Sequence, residues 1–392
     1  ELPISLFSLE KLESLDLSKT ILKTLPESIG QLSNLKAIYC PYTLKELPTS
    51  ISNLKKLEVL ELSSTRLEVL PDFVEKMTEL KHLNLPEGLT EFSYSLSSLK
   101  NLESLDLSRT EIKSIPKFIG TLQNLKKLRL PYTLQELSFD LSNLKNLEIL
   151  EYDIKDAKIL EQVCQLSKLR ILDLPSSIEE LPPSFAQLKN LEKLDLSYTN
   201  LKALPKGIKN WTKLKVLDFY KSSIDTLSDE ICNLTQLTEL NLKGTNISNL
   251  PQNLGTLTQL TELNLEGTNI SSLPQSIGKL INLTYLNLGN TKIKQLPNSI
   301  GQLINLEELS LYPNPFSDEL NITFQSAKEG TADMHLINAY GQIIFVKTIQ
   351  LEKGSNLHQI IPNSPLSNGL YFVQIIDDLG NKYVKQAMYI NN

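Results

Sequence analysis

From Leu12 onward the apolar residues of this chain fall in a fixed pattern that restarts again and again. The first unit reads Leu12-x-x-Leu15-x-Leu17-x-x-Thr20, then Leu22, Leu25-Pro26, Ile29 and Leu32. The pattern restarts at Leu35, Leu57, Leu80, Leu102, Leu125, Leu147, Leu169, Leu191, Leu214, Leu237, Leu260, Leu283 and Leu306. The spacings are 23 residues eight times and 22 residues five times. Phase kept over that length marks a repeat array. Leu-x-Leu alternation predicts a short strand with one buried face, and Leu-Pro-x-x-Ile predicts a turn with a short helical segment. Such a strand cannot bury its leucines alone, so each unit must stack on its neighbours, with parallel strands about 4.8 Å apart. The wider second half of each unit curves the array and leaves the strands on its concave face.

Two irregularities qualify the pattern. The first six units alternate between the two lengths, and the shorter ones drop a residue after the strand, at Pro41-Tyr42-Thr43, Pro86-Glu87-Gly88 and Pro131-Tyr132-Thr133. This predicts duplication of a 45-residue pair. The seventh unit, Leu147 to Lys168, loses both the Thr and the Leu-Pro, reading Tyr152-Asp153-Ile154-Lys155-Asp156. Drift within a tolerant array and a functional kink both fit it.

Residues 1–311 resemble the leucine-rich repeat family, and the late units carry the resemblance best: Leu260-x-x-Leu263-x-Leu265-x-x-Thr268-x-Ile270-x-x-Leu273-Pro274-x-x-Ile277. The family usually has Asn where this chain has Thr (Thr20, Thr43, Thr65, Thr110, Thr133, Thr199, Thr245, Thr268, Thr291) or Ser (Ser177, Ser222). A hydroxyl still bonds a neighbouring carbonyl but lacks the second donor of an amide. The fold class implied is α/β: a leucine-rich repeat solenoid, a horseshoe with a parallel sheet on its concave face, of 13–14 repeats. The chain opens on Leu2-Pro3, Leu6 and Leu9, the second half of a unit whose strand is missing, so upstream sequence, including any export signal, is expected to be absent.

After Leu311 the period stops. Leu320 to Phe324, Met334 to Leu336, Ile343 to Val346, Tyr371 to Ile376 and Tyr383 to Ile390 are period-two runs punctuated by Gly330, Gly341, Gly354, Gly369 and Gly380. They predict a second domain at 312–392, a small antiparallel β-sandwich. Its opening, Tyr312-Pro313-Asn314-Pro315-Phe316, resembles the start of the C-terminal sorting domain on cargo of the type IX secretion system of Bacteroidota. Further matches are Tyr340-Gly341-Gln342, Asn368-Gly369-Leu370-Tyr371 and Gly380 followed by Lys385. The resemblance implies export by that secretion machinery to the outer-membrane surface or beyond. A generic adhesive β-sandwich is the alternative for this segment.

Composition narrows the function. Among 392 residues, 39 basic side chains stand against 45 acidic ones, a net charge of −6. That balance argues against a nucleic-acid partner. Only Arg66, Arg109, Arg129 and Arg170 offer guanidinium forks. No stretch approaches the roughly 18 apolar residues of a membrane span. Cys40, Cys164 and Cys232 are an odd number without metal-ligand spacing. His82, His335 and His358 flank no nucleophile motif, and no phosphate loop is present. Neither catalysis nor a cofactor is expected.

The candidate site is the concave face. The residue between the second and third leucines of each strand points outward. Down the array this column reads Asp16, Tyr39, Glu61, Asn84, Asp106, Arg129, Glu151, Asp173, Asp195, Asp218, Asn241, Asn264, Asn287 and Ser310, with Tyr42, Tyr132, Tyr198, Tyr220 and Tyr285 beside it. Tyrosines among carboxylates suit recognition of a protein or peptide, or a glycan, because they give rigid contact area at low entropy cost. Glu151, Asp173, Asp195 and Asp218 sit on successive strands where like charges repel, so a basic partner or a cation would relieve them. The other reading is that these side chains only cap and solvate the sheet. Three functions follow: an exported binding protein, an intracellular signalling scaffold, or the non-catalytic part of a larger surface enzyme.

Overall fold

The computed structural model describes the chain except for residues 92–93, 155–156, 295, 311–314, 317–319, 327, 339–340, 362–365, 367–368, 379, 381 and 390–392. It divides into two compact units, Glu1–Pro175 and Ser176–Asn392. In the first, β1 (Ser14–Asp16), β2 (Ala37–Tyr39), β3 (Val59–Glu61), β4 (His82–Asn84), β5 (Ser104–Asp106), β6 (Lys127–Arg129), β7 (Ile149–Glu151) and β8 (Ile171–Asp173) pair in parallel. The register is the repeat register: Leu15 faces Ile38, Leu60 faces Leu83, and Leu128 faces Leu150. From β2 to β8 the middle residue of each strand is wholly buried, while its two neighbours stay partly open to solvent.

Short 3₁₀ turns oppose the strands, and proline sets where several of them begin. Pro26, Pro48, Pro71 and Pro116 precede the turns Glu27–Gln31, Thr49–Asn53, Asp72–Lys76 and Lys117–Thr121 with φ of −74°, −68°, −67° and −64°. Proline fixes that angle at no cost, because the N–H it lacks has no partner at a helix start. The following Leu32, Leu54 and Leu122 end their turns by donating N–H to the carbonyls of Ile29, Ile51 and Ile119. In the seventh repeat, where Leu-Pro is missing, the turn becomes α1 (Ala157–Val163), the one α-helix among the described residues.

In the second unit β9 (Lys193–Asp195), β10 (Val216–Asp218), β11 (Glu239–Asn241), β12 (Glu262–Asn264), β13 (Tyr285–Asn287) and β14 (Glu308–Ser310) repeat the same pairing. Within each unit strand order follows chain order in the parallel sheet. The threonines in the family's Asn position work as expected. Thr20, Thr65, Thr110, Thr199, Thr245, Thr268 and Thr291 each donate to the carbonyl three residues back. In the 22-residue units Thr43 and Thr133 instead reach the previous repeat, at Leu22 and Ile112.

Beyond β14 the pairing changes. β15 (Pro315–Phe316), β16 (Leu320–Ser326), β17 (Gly330–Asn338), β18 (Ile343–Leu351), β19 (Gly354–Ile360), β20 (Gly369–Asp377) and β21 (Lys382–Tyr389) form a five-stranded sheet, ordered β15-β21-β20-β17-β18, and a two-stranded β16–β19 sheet. Leu320, Ile322 and Ile360 from the smaller sheet and Met334, Leu336, Ile349, Val373 and Ile375 from the larger share one core. Two features differ from the expectation. The strand β19 was not expected, because Gly354-Ser355-Asn356-Leu357-His358 is too polar to alternate visibly. The β15–β21 pair is parallel in an otherwise antiparallel sheet.

Candidate functional site

The expected column exists as a continuous row of neighbours within each unit. In the first, Asp16, Tyr39, Glu61, Asn84, Asp106, Arg129, Glu151 and Asp173 each end a strand and stand directly opposite one another. In the second, Asp195, Asp218, Asn241, Asn264, Asn287 and Ser310 do the same. The expected tyrosines flank the row. Tyr42 and Tyr132 are 41% and 75% exposed on the bends after β2 and β6, and Tyr198 is 56% exposed after β9. Tyr220 follows β10 and Tyr285 opens β13, both half-buried.

Most of the row has a structural duty. The side-chain oxygens of Asp16, Glu61, Asp106, Asp195 and Asp218 accept the backbone N–H two residues on, at 2.8–3.0 Å. Asn241, Asn264 and Asn287 do so at 2.9–3.1 Å. Each cap satisfies a backbone donor where the chain leaves the sheet. Hydrogen bonding to the ionised form favours it, so Ser18 lowers the pKa of Asp16.

Charge in the row is partly balanced inside it. Arg129 lies between Asp106 and Glu151 and pairs with both, at 3.0 and 2.6 Å. Asn84 donates to Glu61. Asn287 donates to Glu266 at 3.0 Å and to the Tyr285 hydroxyl at 3.1 Å. The repulsion expected at Glu151 is thus relieved on one side by Arg129, without a partner molecule.

Two features of this face escaped the sequence reading. One is a second row at the residue before each strand. Glu13–Lys36, Glu58–Lys81, Glu103–Lys126, Glu148–Arg170 and Glu192–Lys215 are ion pairs of 2.8–3.3 Å, each joining two successive repeats. Thr238, Thr261 and Thr284 continue the row by bonding the preceding repeat's carbonyl. The signal lay in the 45-residue doubling, which puts Glu and Lys in alternate units. The other feature is a cluster of Tyr198, Tyr220 and Lys221, whose rings meet edge to face at 5.2 Å.

The C-terminal motif residues sit mainly at turns and strand starts. Gly341 (φ 80°) closes the β17–β18 turn, donating to the Asn338 carbonyl, and Gly380 (φ 82°) closes β20–β21, donating to Asp377. Gly369 opens β20 opposite Tyr389, and Tyr371 is buried between Asn338 and Ala387. Lys385 lies opposite Val373, and Pro315 and Phe316 form β15. Tyr312, Pro313 and Asn314 lie outside the described residues. Among the described residues no His, Cys, Asp or Glu group is grouped for a metal, and no helix is long and apolar enough to cross a membrane. Cys40, Cys164 and Cys232 are not joined in disulfides, and burial pushes the Cys40 thiol up to about 12.

Comparison with known proteins agrees with this geometry. The leucine-rich repeat region family matches residues 40–130, 72–175, 153–239 and 209–325, and the secretion system C-terminal sorting domain matches 310–390. No curated protein sequence matches the chain. A leucine-rich repeat protein of Leptospira interrogans is similar in structure, with TM-score 0.68 and 32% identity, over 80% of this chain and 88% of that one. An internalin of Listeria monocytogenes shares the fold, with TM-score 0.64 and 21% identity, over 80% of this chain and 90% of that one. From β1 to β14 this chain belongs to the leucine-rich repeat family, and it carries a secretion-system sorting domain at its C-terminal end.

Proposed function

We propose that this is an exported binding protein, in which residues 1–311 recognise a protein or peptide on the open face of the parallel sheet and residues 312–392 direct secretion to the cell surface or medium. The sorting-domain match at 310–390 carries the reading, because an intracellular scaffold has no use for that segment. Recognition is assigned to the sheet face because its outward rows present carboxylates, amides and tyrosines on strands held rigid by the repeat core. A rigid, preformed surface binds without a large ordering cost. No chemical step is assigned to it.

Export is tested by fractionating a host with a type IX system that expresses the full-length gene with and without residues 312–392. The intact protein is expected outside the outer membrane, and the shortened one retained within the cell. Intact protein confined to the cytosol overturns export. Recognition is tested with photo-crosslinking residues at Tyr39 and Glu262 on the open face and at Lys76 and Lys279 on the 3₁₀ turns. Discrete adducts are expected from the first pair alone. Charge is tested separately by Asp195→Asn and Asp218→Asn. Asn241, Asn264 and Asn287 show that an amide makes the same backbone bond, so these variants remove charge and keep the fold.

A further inference from the structure

The bend after the strands of the second unit holds a row of residues in the left-handed backbone region. Gly244 and Gly267 have φ of 73° and 70°, and Asn290 has φ of 54°. These are the residue types that adopt this conformation readily. Two positions of the same row break that rule: Tyr198 at φ 61° and Lys221 at φ 53°. A bulky side chain there opposes its own backbone, and such strain marks a position where the side chain is used. The row is also tied by backbone bonds from Tyr198 to Tyr220, Lys221 to Lys243, Gly244 to Glu266 and Gly267 to Gly289, at 2.7–2.8 Å. The side chains are therefore presented on a fixed frame.

The Lys221 ammonium lies 5.2 Å from the Tyr220 ring centre and 5.8 Å from that of Tyr198. The adjacent Lys243, whose carbonyl accepts the Lys221 N–H, is paired with Glu266. Lys221 has no carboxylate partner among the described residues. The two tyrosine rings meet each other and Lys221, so the cluster presents an ammonium flanked by two phenols. Beside Lys221 the exposed Gly244 and Gly267 leave a bare backbone shelf. The Tyr220 phenol is held below its ordinary pKa by its bonds to Lys221 and Tyr198 and by the Lys243 charge. The nearest column acids, Asp195 and Asp218, each spend an oxygen on the backbone.

From this arrangement we infer that Tyr198, Tyr220 and Lys221 form the contact for a carboxylate side chain, Asp or Glu, of an acidic peptide segment of the partner. The inference rests on the reading of the sheet face as the recognition surface. Asp195 and Asp218 repel negative charge from the strand ends beside them, so on this bend a carboxylate is accepted at Lys221. Complementarity of this kind sets orientation more than raw affinity.

The test uses fluorescence anisotropy with a labelled hexaglutamate peptide at low salt. Lys221→Gly and Lys221→Asn install residues that the same row already carries, so both variants are expected to melt no lower than the parent. Binding is expected to weaken about tenfold or more in both and to tighten when Asp195 and Asp218 are both changed to Asn. Equal affinity in parent and Lys221 variants overturns the assignment. A hexagalacturonate that binds through Lys221 more tightly than hexaglutamate overturns the choice of a peptide. Photo-adducts that persist on the sheet face while Lys221→Gly has no effect remove this contact alone. Absence of sheet-face adducts in the protein with Lys221 intact removes the reading of that face as the recognition surface.

Discussion

Arg129 reaches across the β6–β7 boundary to Glu151, with Nε 2.6 Å from Oε2, while its Nη1 stands 3.0 Å from Asp106 on β5. One guanidinium thus ties three successive repeats at half-buried positions. Burial alone would raise the Asp106 pKa, but its Ser108 bonds and Arg129 together bring it below the ordinary carboxylate range. A carboxylate depressed in the folded state contributes stability above its unfolded pKa and loses it as pH falls through the folded value. Arg129→Met is therefore expected to cost about 1–2 kcal/mol at neutral pH. The gap should narrow at acid pH, as Asp106 protonates below the ordinary aspartate value of about 3.9. Urea unfolding at the two pH values reads it, and a gap of the same size at both refutes the ion-pair account.

Several 3₁₀ turns carry a glycine after an Ile or Leu, and these glycines are not equally crowded. A methyl at Gly255 collides with the Ser276 carbonyl oxygen of the next repeat, and one at Gly278 with that of Ser299. At Gly30 the Ser50 carbonyl would lie 2.6 Å away. At Gly301 a methyl meets nothing within 4 Å among the described residues. Gly255→Ala is expected to lose about 1–3 kcal/mol through overpacking. Gly301→Ala should be neutral or gain about 0.5 kcal/mol from a less flexible unfolded chain. Thermal melts of the two variants decide it, and equal losses would mean that backbone conformation, not packing, selects these glycines.

The repeat strands were legible because Leu12, Leu15 and Leu17 recur in phase, and one phase fixes both the buried face and the register. The same phase placed Asp106, Asp195 and Asp218 on the outward row. It did not disclose that their carboxylates bond to Ser108, Ser197 and Tyr220, because that bond depends on how the chain leaves the strand. The Glu58–Lys81 row was equally hidden, since each residue alone looks like a solvated charge and only its alternation with the 45-residue period reveals a pair. The Lys221 conformation has no sequence signal at all. It shows only against Gly244 and Gly267 in the same row.

Trp211 is the single tryptophan, fully buried, and meets Phe185 edge to face at 5.9 Å. It ends the turn Ile208–Asn210, where other repeats have Leu. Its indole N–H has no hydrogen-bond partner among the described residues, so volume rather than polarity holds it there. Trp211→Ala is expected to cost about 3–5 kcal/mol, and Trp211→Leu less, because the neighbouring repeats pack a Leu at this point. The emission of this one fluorophore should be blue-shifted in the folded state and move to the red on unfolding. A solvent-like spectrum in the native protein would place the ring outside the core.

Glu239 and Glu262 stand opposite each other on β11 and β12. Burial, and then the Glu262 charge, raises the Glu239 pKa above the ordinary glutamate value, with Lys193 opposing. A carboxyl whose pKa is raised on folding binds its proton more tightly in the folded state. Its contribution is therefore favourable at low pH and is lost as pH climbs from the unfolded value of about 4.3 through the folded one. Glu239→Gln mimics the protonated form, so it should melt higher than the parent at neutral pH and level with it near pH 3.5. Solvent screening at this exposed site limits the gain to about a few tenths of a kcal/mol. A lower melting temperature for Glu239→Gln at neutral pH would show that Lys193, not Glu262, dominates the field at this carboxylate.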